Sequence, residues 1–388
     1  MRQDAGGRKA TTTELSTTVP STAQPSPAQP SPAEPDATLA AMGRRLDEVI
    51  ARLRRWDVDG LLPPVPLSGP LAVDLVGELA TRLASGGKRL RPVFAIWGWI
   101  GAGGRDRPDT HPRLVDVAAA LELLHLFALV QDDVMDRSDQ RRGMPTLHVT
   151  AGHRHRDHHG LGDPQLFGDS VATLLGDLAL AEASMLVAPS PEPVRDLWTL
   201  MTVELVHGQL WDITQTASRE RRLAVSEAIA RLKTGRYTVT RPLQLGALIA
   251  GAAPGLVADL GRYGDLVGDA FAIRDDILGV WGDPQVTGKP AGDDLRSAKP
   301  TVLLALAAEQ VPPAGRTLLA RCSAGLLDDA GVDALRESLL AWGVREAAET
   351  MIDELVGSAD ALLDALPIHP EGADALRTVA ATAAWRST

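Results

Sequence analysis

Residues 112–136 read PRLVDVAAALELLHLFALVQDDVMD. The apolar spacing predicts an amphipathic helix that starts near Pro112. It ends in Gln131-Asp132-Asp133-Val134-Met135-Asp136. Asp132 and Asp136 are four apart, so they share a helix face. Carboxylates crowded there repel one another, and at a helix C-terminus they also oppose the macrodipole. A solvated acidic end is one resolution and a bound divalent cation is another. Hard oxygen donors without Cys or His suit Mg2+, which is often held by one or two carboxylates plus substrate phosphates.

About 140 residues further on stands Asp275-Asp276-Ile277-Leu278-Gly279, which also ends a helical run. Gly279 occupies the place of a third carboxylate. Two acidic pairs at the ends of two helices are expected to face each other across one cavity, bridged by a diphosphate–magnesium cluster. The stretch Gly86-Gly87-Lys88-Arg89-Leu90-Arg91-Pro92 pairs conformationally free glycines with three cations, a plausible diphosphate seat. Arg141-Arg142-Gly143, Lys233-Thr234-Gly235 and the span from Lys289 to Lys299 add further cations. In a chain of net charge −11, cations beside the carboxylate pairs are what a polyanion-plus-metal site needs.

The remainder is helical in character. Hydrophobic residues make up 45% and aromatics only 4%, which with abundant Ala, Leu, Arg, Glu and Asp favours an all-α fold. The acidic balance argues against a nucleic-acid partner. Cys322 is the sole cysteine, which excludes an intrachain disulfide and fits a reducing cytoplasm. No run of about 18 uninterrupted apolar residues is present, so no transmembrane segment is expected. Residues 1–36 are rich in Ser, Thr, Pro, Ala and Gln, and are read as a disordered tail, either inert or a docking tag for a larger assembly. A first helix is expected at about 37–55, then a Pro-rich connector to 70, then one helical domain over 71–388. His153, His155, His158 and His159 fall in a Gly-flanked stretch at 151–168, read as a solvated loop rather than a zinc site.

These motifs together resemble the polyprenyl synthetase family, the trans-isoprenyl diphosphate synthases, over roughly 75–388. The match includes Gly87 to Pro92, Glu122-Leu123-Leu124-His125, Asp132 to Asp136 with Arg141-Arg142-Gly143, Gly176-Asp177, Gly208-Gln209 with Asp212, Lys233-Thr234, and Gly288-Lys289 through Lys299. The resemblance, closest in type to short-chain bacterial geranylgeranyl diphosphate synthases, implies a large antiparallel helix bundle around a central cavity, usually a homodimer. It implies Mg2+-dependent condensation of isopentenyl diphosphate with an allylic diphosphate. Asp132, Asp133, Asp136, Asp275 and Asp276 would serve three Mg2+ ions, and Lys233 and Thr234 would act in catalysis. Lys88, Arg91, His125, Arg141, Arg142, Gln209, Lys289 and Lys299 would bind substrate, and Phe127 and Ala128 would set product length. Gly279, Ala272 and Gln131 depart from the family pattern. A non-catalytic partner subunit and a terpene cyclase are the alternative readings. The second has less need of the seat at Gly87 to Arg91.

Overall fold

The computed structural model describes residues 34–58, 69–104, 107–218, 221–283 and 292–386. The tail up to residue 33, the connector residues Gly60, Pro63, Pro64 and Pro66, and Lys289 lie outside them. Ten helices lead through the first part: α1 Glu34–Val58, α2 Leu75–Ala84, α3 Leu90–Gly101, α4 Pro112–Met135, α5 Leu147–Asp157, α6 Pro164–Val187, α7 Glu192–Ser218, α8 Leu223–Ala230, α9 Arg241–Ile249 and α10 Pro254–Trp281. Between α8 and α9 the chain is a π-helix, Arg231–Thr240. Then follow α11 Asp293–Arg296, α12 Val302–Gln310, α13 Arg316–Ser323, α14 Asp329–Ala341, α15 Val344–Asp364 and α16 Pro370–Ala384.

The helix expected from Pro112 forms with Pro at its first turn, where a missing N–H costs nothing. The His111 ring nitrogen accepts from Leu114 N at 3.4 Å. The helix is not amphipathic, however. Leu121, Leu123, Leu124 and Leu126 point to different sides of it, yet all are buried. Helices α1, α3, α6 and α9 enclose α4, and a helix apolar all round is a core helix. By length and hydropathy α4 and α6 could each cross a membrane, which a search for unbroken apolar runs misses; here they pack against each other.

Helix α1 is longer than expected and packs on α4 through Met42, Leu46, Val49 and Leu53. The His-rich stretch also differs from its reading as a loop. Its first part is the end of α5 and its last part opens α6, leaving a short link between them. His155 is buried against Phe167, and its Nε2 lies 3.0 Å from the Leu161 carbonyl oxygen. Packing of α5 on α6 outweighs the local glycines.

The core has two parts. One joins α1 to α7 and α9, the other gathers the second half of α10 with α12 to α15. Helix α10 runs through both, with Leu260, Tyr263 and Val267 in the first and Ile273, Ile277 and Val280 in the second. The π-helix lies against α10 and α7. Gly235 and Gly268 make this close approach possible: a Cβ on Gly235 would stand 2.9 Å from Gly268 backbone atoms, and one on Gly268 3.0 Å from Gly235.

Candidate active site

The end of α4 and the end of α10 face one cavity of about 590 Å³. Asp132 lines it from α4, Asp275 and Asp276 from α10, and Asp212 from α7. Lys233 on the π-helix ties two of these helices together, its Nζ 2.9 Å from Asp132 Oδ1 and 2.5 Å from Asp212 Oδ2. Lys299 pairs with Asp136 and stands 4.0 Å from Asp294. Burial would discharge both lysines. The surrounding carboxylates, Asp132 foremost, outweigh it and hold both pKa values above the ordinary lysine range.

A two-residue ladder, Gln140–Arg141 with Met144–Pro145, follows α4. Its turn residues Arg142 and Gly143 have φ of 54° and 71°, the left-handed pair of a tight hairpin. The hairpin sends Arg141 back to Asp133 at 2.6 Å and to Asp132 at 3.2 Å. It also sends Arg142 to the Gly86 carbonyl oxygen. The glycine pair at 86–87 therefore meets a second cationic loop as well as the cavity.

A separate cationic group lies beside this carboxylate web. Lys88, Arg89, Arg91 and Arg142 line the cavity with His125 and Glu122. Arg91 donates to Thr238 Oγ1 at 2.8 Å and stacks over Tyr237 at 4.2 Å, so its guanidinium is fixed before any ligand arrives. Burial, then Arg91, Arg142 and Arg141, push the His125 pKa well below its ordinary value. Its ring is therefore neutral, with Nδ1 at 3.4 Å from the Tyr237 hydroxyl.

The expected site residues divide accordingly. Lys88, Arg91, His125, Ala128, Asp132, Arg141, Arg142, Gln209, Lys233, Thr234, Asp275, Asp276 and Lys299 line the one cavity. Asp133 turns away to Arg141, and Asp136 is held by Lys299. Phe127 is packed in the core and does not line the cavity. It lies five residues before Asp132, which is about 140° around a helix of 3.6 residues per turn. Ala272 lines the cavity, and Gln131 donates to Asp177 at 3.3 Å.

Three charged residues of the cavity carried no motif reading in the sequence. Asp293-Asp294, a further Asp-Asp pair between two noted lysines, was open to inspection. Asp294 also explains Gly279, because a Cβ at 279 would stand 2.0 Å from Asp294 Oδ2. A carboxylate from α11 thus fills the space of the missing third aspartate. Arg386 had no local signal; it pairs with Asp275, 111 residues earlier.

The donor set fits Mg2+. All the converging carboxylates are hard oxygen ligands. Asp276 is half-buried at the cavity wall, and burial with Asp294, Asp275 and Asp212 nearby raises its pKa well above its ordinary value, against one N–H from Val302. Arg386 pairs with Asp275 on this wall, and the wall's carboxylates still outnumber it. Among the described residues no three acidic, imidazole or thiol groups form a ready-made cage. An ion here would share its shell with a ligand's oxygens.

The chain matches the polyprenyl synthetase family over residues 73–337 and belongs to it. It is a prenyltransferase, a short- to medium-chain trans-prenyl diphosphate synthase. A geranylgeranyl pyrophosphate synthase from Corynebacterium glutamicum, solved with isoprenyl diphosphate and magnesium, superposes with a TM-score of 0.81 at 36% identity, covering 91% of this chain and 99% of that one. The geranylfarnesyl diphosphate synthase of Aeropyrum pernix is 33% identical over 67% of this chain and 81% of its own length. The (2E,6E)-farnesyl diphosphate synthase of Mycobacterium tuberculosis is 33% identical over 72% and 78%.

Proposed function

We propose that the enzyme condenses isopentenyl diphosphate head-to-tail with an allylic diphosphate in the presence of Mg2+, with geranylgeranyl diphosphate as the product. Farnesyl and geranyl diphosphate are the shorter alternatives. The observation that carries this reading is the division of one cavity into a carboxylate web and a separate cationic group. That division suits two diphosphates, one needing metal and one not. The magnesium and isoprenyl diphosphate in the Corynebacterium glutamicum structure support it.

Asp132, Asp136, Asp275 and Asp294 would hold the Mg2+ ions, three by family resemblance, with Asp133 and Asp276 supporting from behind. Bound there, they supply Lewis-acid stabilisation of the departing diphosphate. Lys233, Lys299 and Arg141, each paired with a carboxylate, turn to the diphosphate oxygens as charge develops when the allylic C–O bond breaks. Arg91, Arg142, Lys88 and neutral His125 hold isopentenyl diphosphate with its double bond toward the allylic carbon; Lys289 is assigned by resemblance, with Arg141 and Lys233, to the leaving diphosphate. Holding both reactants removes a large entropic barrier. The Thr234 hydroxyl and Gln209 amide present oxygen dipoles to the cation. A C–C bond forms, and the released diphosphate takes the proton lost from the adduct.

Two whole-chain features belong to the same reading. Val203, Val206, Leu210 and Ile213 form an exposed apolar stripe along α7, which suits a homodimer face. Residues 1–36 would act as a docking tag for a cytoplasmic assembly.

The test is a purified-protein assay with isopentenyl diphosphate and dimethylallyl, geranyl or farnesyl diphosphate. Prenyl diphosphate products are expected, with Asp275→Ala at least about a hundredfold slower, the scale of losing one major transition-state stabiliser. Full activity in Asp275→Ala would remove the two-wall arrangement. No turnover by the parent protein would favour a non-catalytic partner subunit.

A further inference from the structure

The carboxylate wall on α10 already has a cation. Arg386, just beyond α16, turns its guanidinium into the cavity and pairs with Asp275. The group lies 3.9 Å over the Phe271 ring, and Nη1 donates to the Ala383 carbonyl oxygen at 2.7 Å. Its side chain is 7% exposed, whereas that of Asp275 is 48% exposed and stays open to the cavity.

We infer that Arg386 is a resident counter-cation that makes metal binding at Asp275 conditional on a diphosphate. The inference rests on the magnesium–diphosphate reading above. A metal ion arriving alone must take the Asp275 oxygen from a guanidinium that is stacked, hydrogen-bonded and charged. The freed guanidinium would then lie near Lys88 with no anion to receive it. Lys88 already senses this: burial and then Arg386 lower its pKa, while Asp275 pulls the other way. A diphosphate changes the balance. It gives Arg386 and Lys88 an anion to share, and Asp275 is released to a metal that arrives with the phosphate oxygens. The two carboxylate walls then differ in kind. Asp132 is paired with Lys233 and Asp136 with Lys299, lysines on the bundle itself, one of them in a helix. The partner of Asp275 comes from a residue beyond a helix end, held by one ring face and one carbonyl, contacts easily exchanged. The enzyme would thus select metal–diphosphate over free metal at its second wall.

Calorimetric titration of MgCl2 without diphosphate tests this on the full chain. Arg386→Gln should bind Mg2+ roughly two- to fivefold more tightly than the parent, the scale of one partly exposed ion pair. Arg386→Lys should stay near the parent, and adding Asp275→Asn to Arg386→Gln should abolish the gain. Equal affinity in parent and Arg386→Gln, or a gain that survives Asp275→Asn, overturns the proposal. A second measurement needs no variant: a crystal structure of the parent with MgCl2 and inorganic diphosphate. Arg386 should have left Asp275; Arg386 still paired with Asp275 beside bound metal and diphosphate overturns it equally. Neither measurement involves turnover, so a failure of prenyl transfer would be recognised separately.

Discussion

At the residue scale, the site works by exchanging partners. Asp132, Asp136 and Asp275 each already have a cation, and each of those cations is one a diphosphate could claim. Asp294 gives this arrangement a sharp test. If it replaces the carboxylate absent at 279, Asp294→Ala should weaken Mg2+ binding in the presence of inorganic diphosphate about tenfold. Gly279→Asp alone should displace the Asp294 carboxylate, whose Oδ2 stands 2.0 Å from the added Cβ, and crowd two like charges, which lowers stability. The double variant, with the space cleared, should recover most of the metal affinity by calorimetry; no recovery would mean Asp294 acts only as a space-filler. His125 gives a pH test. Its folded pKa is lowered well below 6.5, so the unfolded chain binds its proton first. The neutral ring therefore contributes stability that is present above the unfolded pKa and is lost as pH falls from 6.5 toward the folded value. His125→Gln should flatten the decline of Tm in that window relative to the parent; an unchanged slope would assign the acid sensitivity elsewhere. The pairs Asp132-Asp133 and Asp275-Asp276 were legible in sequence because repeated like charge at a helix end demands a counter-ion. Arg386 was not, since its partner is set only by where α16 ends against α10.

At the element scale, the π-helix decides where Lys233 and Thr234 stand. A wider helix displaces its neighbours, and here α10 accommodates it by a glycine facing a glycine. Gly268→Ala should push the two apart by several tenths of an ångström or more, since the added Cβ starts 3.0 Å from Gly235 backbone atoms. Lys233 and Thr234 lie on the displaced element, and so do Tyr237 and Thr238, which fix Arg91. Turnover should therefore fall more than tenfold and KM for isopentenyl diphosphate should rise with it, in a protein whose far-ultraviolet circular dichroism matches the parent's. Parent-like constants in that folded protein would mean the π-helix does not set these positions. The same element marks a limit of periodicity. The α and π forms share sequence signals, so the sequence shows a helix at Arg231–Thr240 but not its pitch. Helix α4 shows the opposite case: its position, its start at Pro112 and its acidic end were readable, but its burial on all sides depends on α1, α3, α6 and α9 arriving around it. For α5 the glycines and polar side chains suggested a loop, and packing against α6 formed a helix instead.

At the scale of the whole molecule, the exposed stripe on α7 and the cavity's inner wall are two sides of one helix. Val206→Asp with Leu210→Asp should convert a dimer to monomers in sedimentation; an unchanged species would place any dimer contact elsewhere. The inward side of α7 bears on product length. Leu205, Gln209 and Asp212 line the cavity, spaced i, i+4 and i+7, so they descend one face from the Lys233 pair. Leu205 is seven residues before Asp212, about 10 Å deeper at 1.5 Å per residue. Across from it on α4 stands Ala128, about 6 Å below Asp132. Neither Leu124 nor Met201, the next turn down on each helix, lines the cavity, and both are wholly buried. A chain growing from the carboxylates should therefore meet its deep wall between Ala128 and Leu205. Ala128→Phe would fill that space and should shorten the main product by at least one isoprene unit. Leu205→Ala removes a branched wall residue and should lengthen it by about one unit, at a stability cost of roughly 2–5 kcal/mol for a buried Leu→Ala change. Phe127→Ala provides the contrast. Its side chain lies in the core around the far side of α4, so it should cost stability without moving the distribution. Mass spectrometry of the products from one allylic substrate decides among the three. A longer product from Phe127→Ala alone would place the deep wall on the core side of α4, and an unmoved distribution in both Ala128→Phe and Leu205→Ala would remove α7 from the determination of chain length.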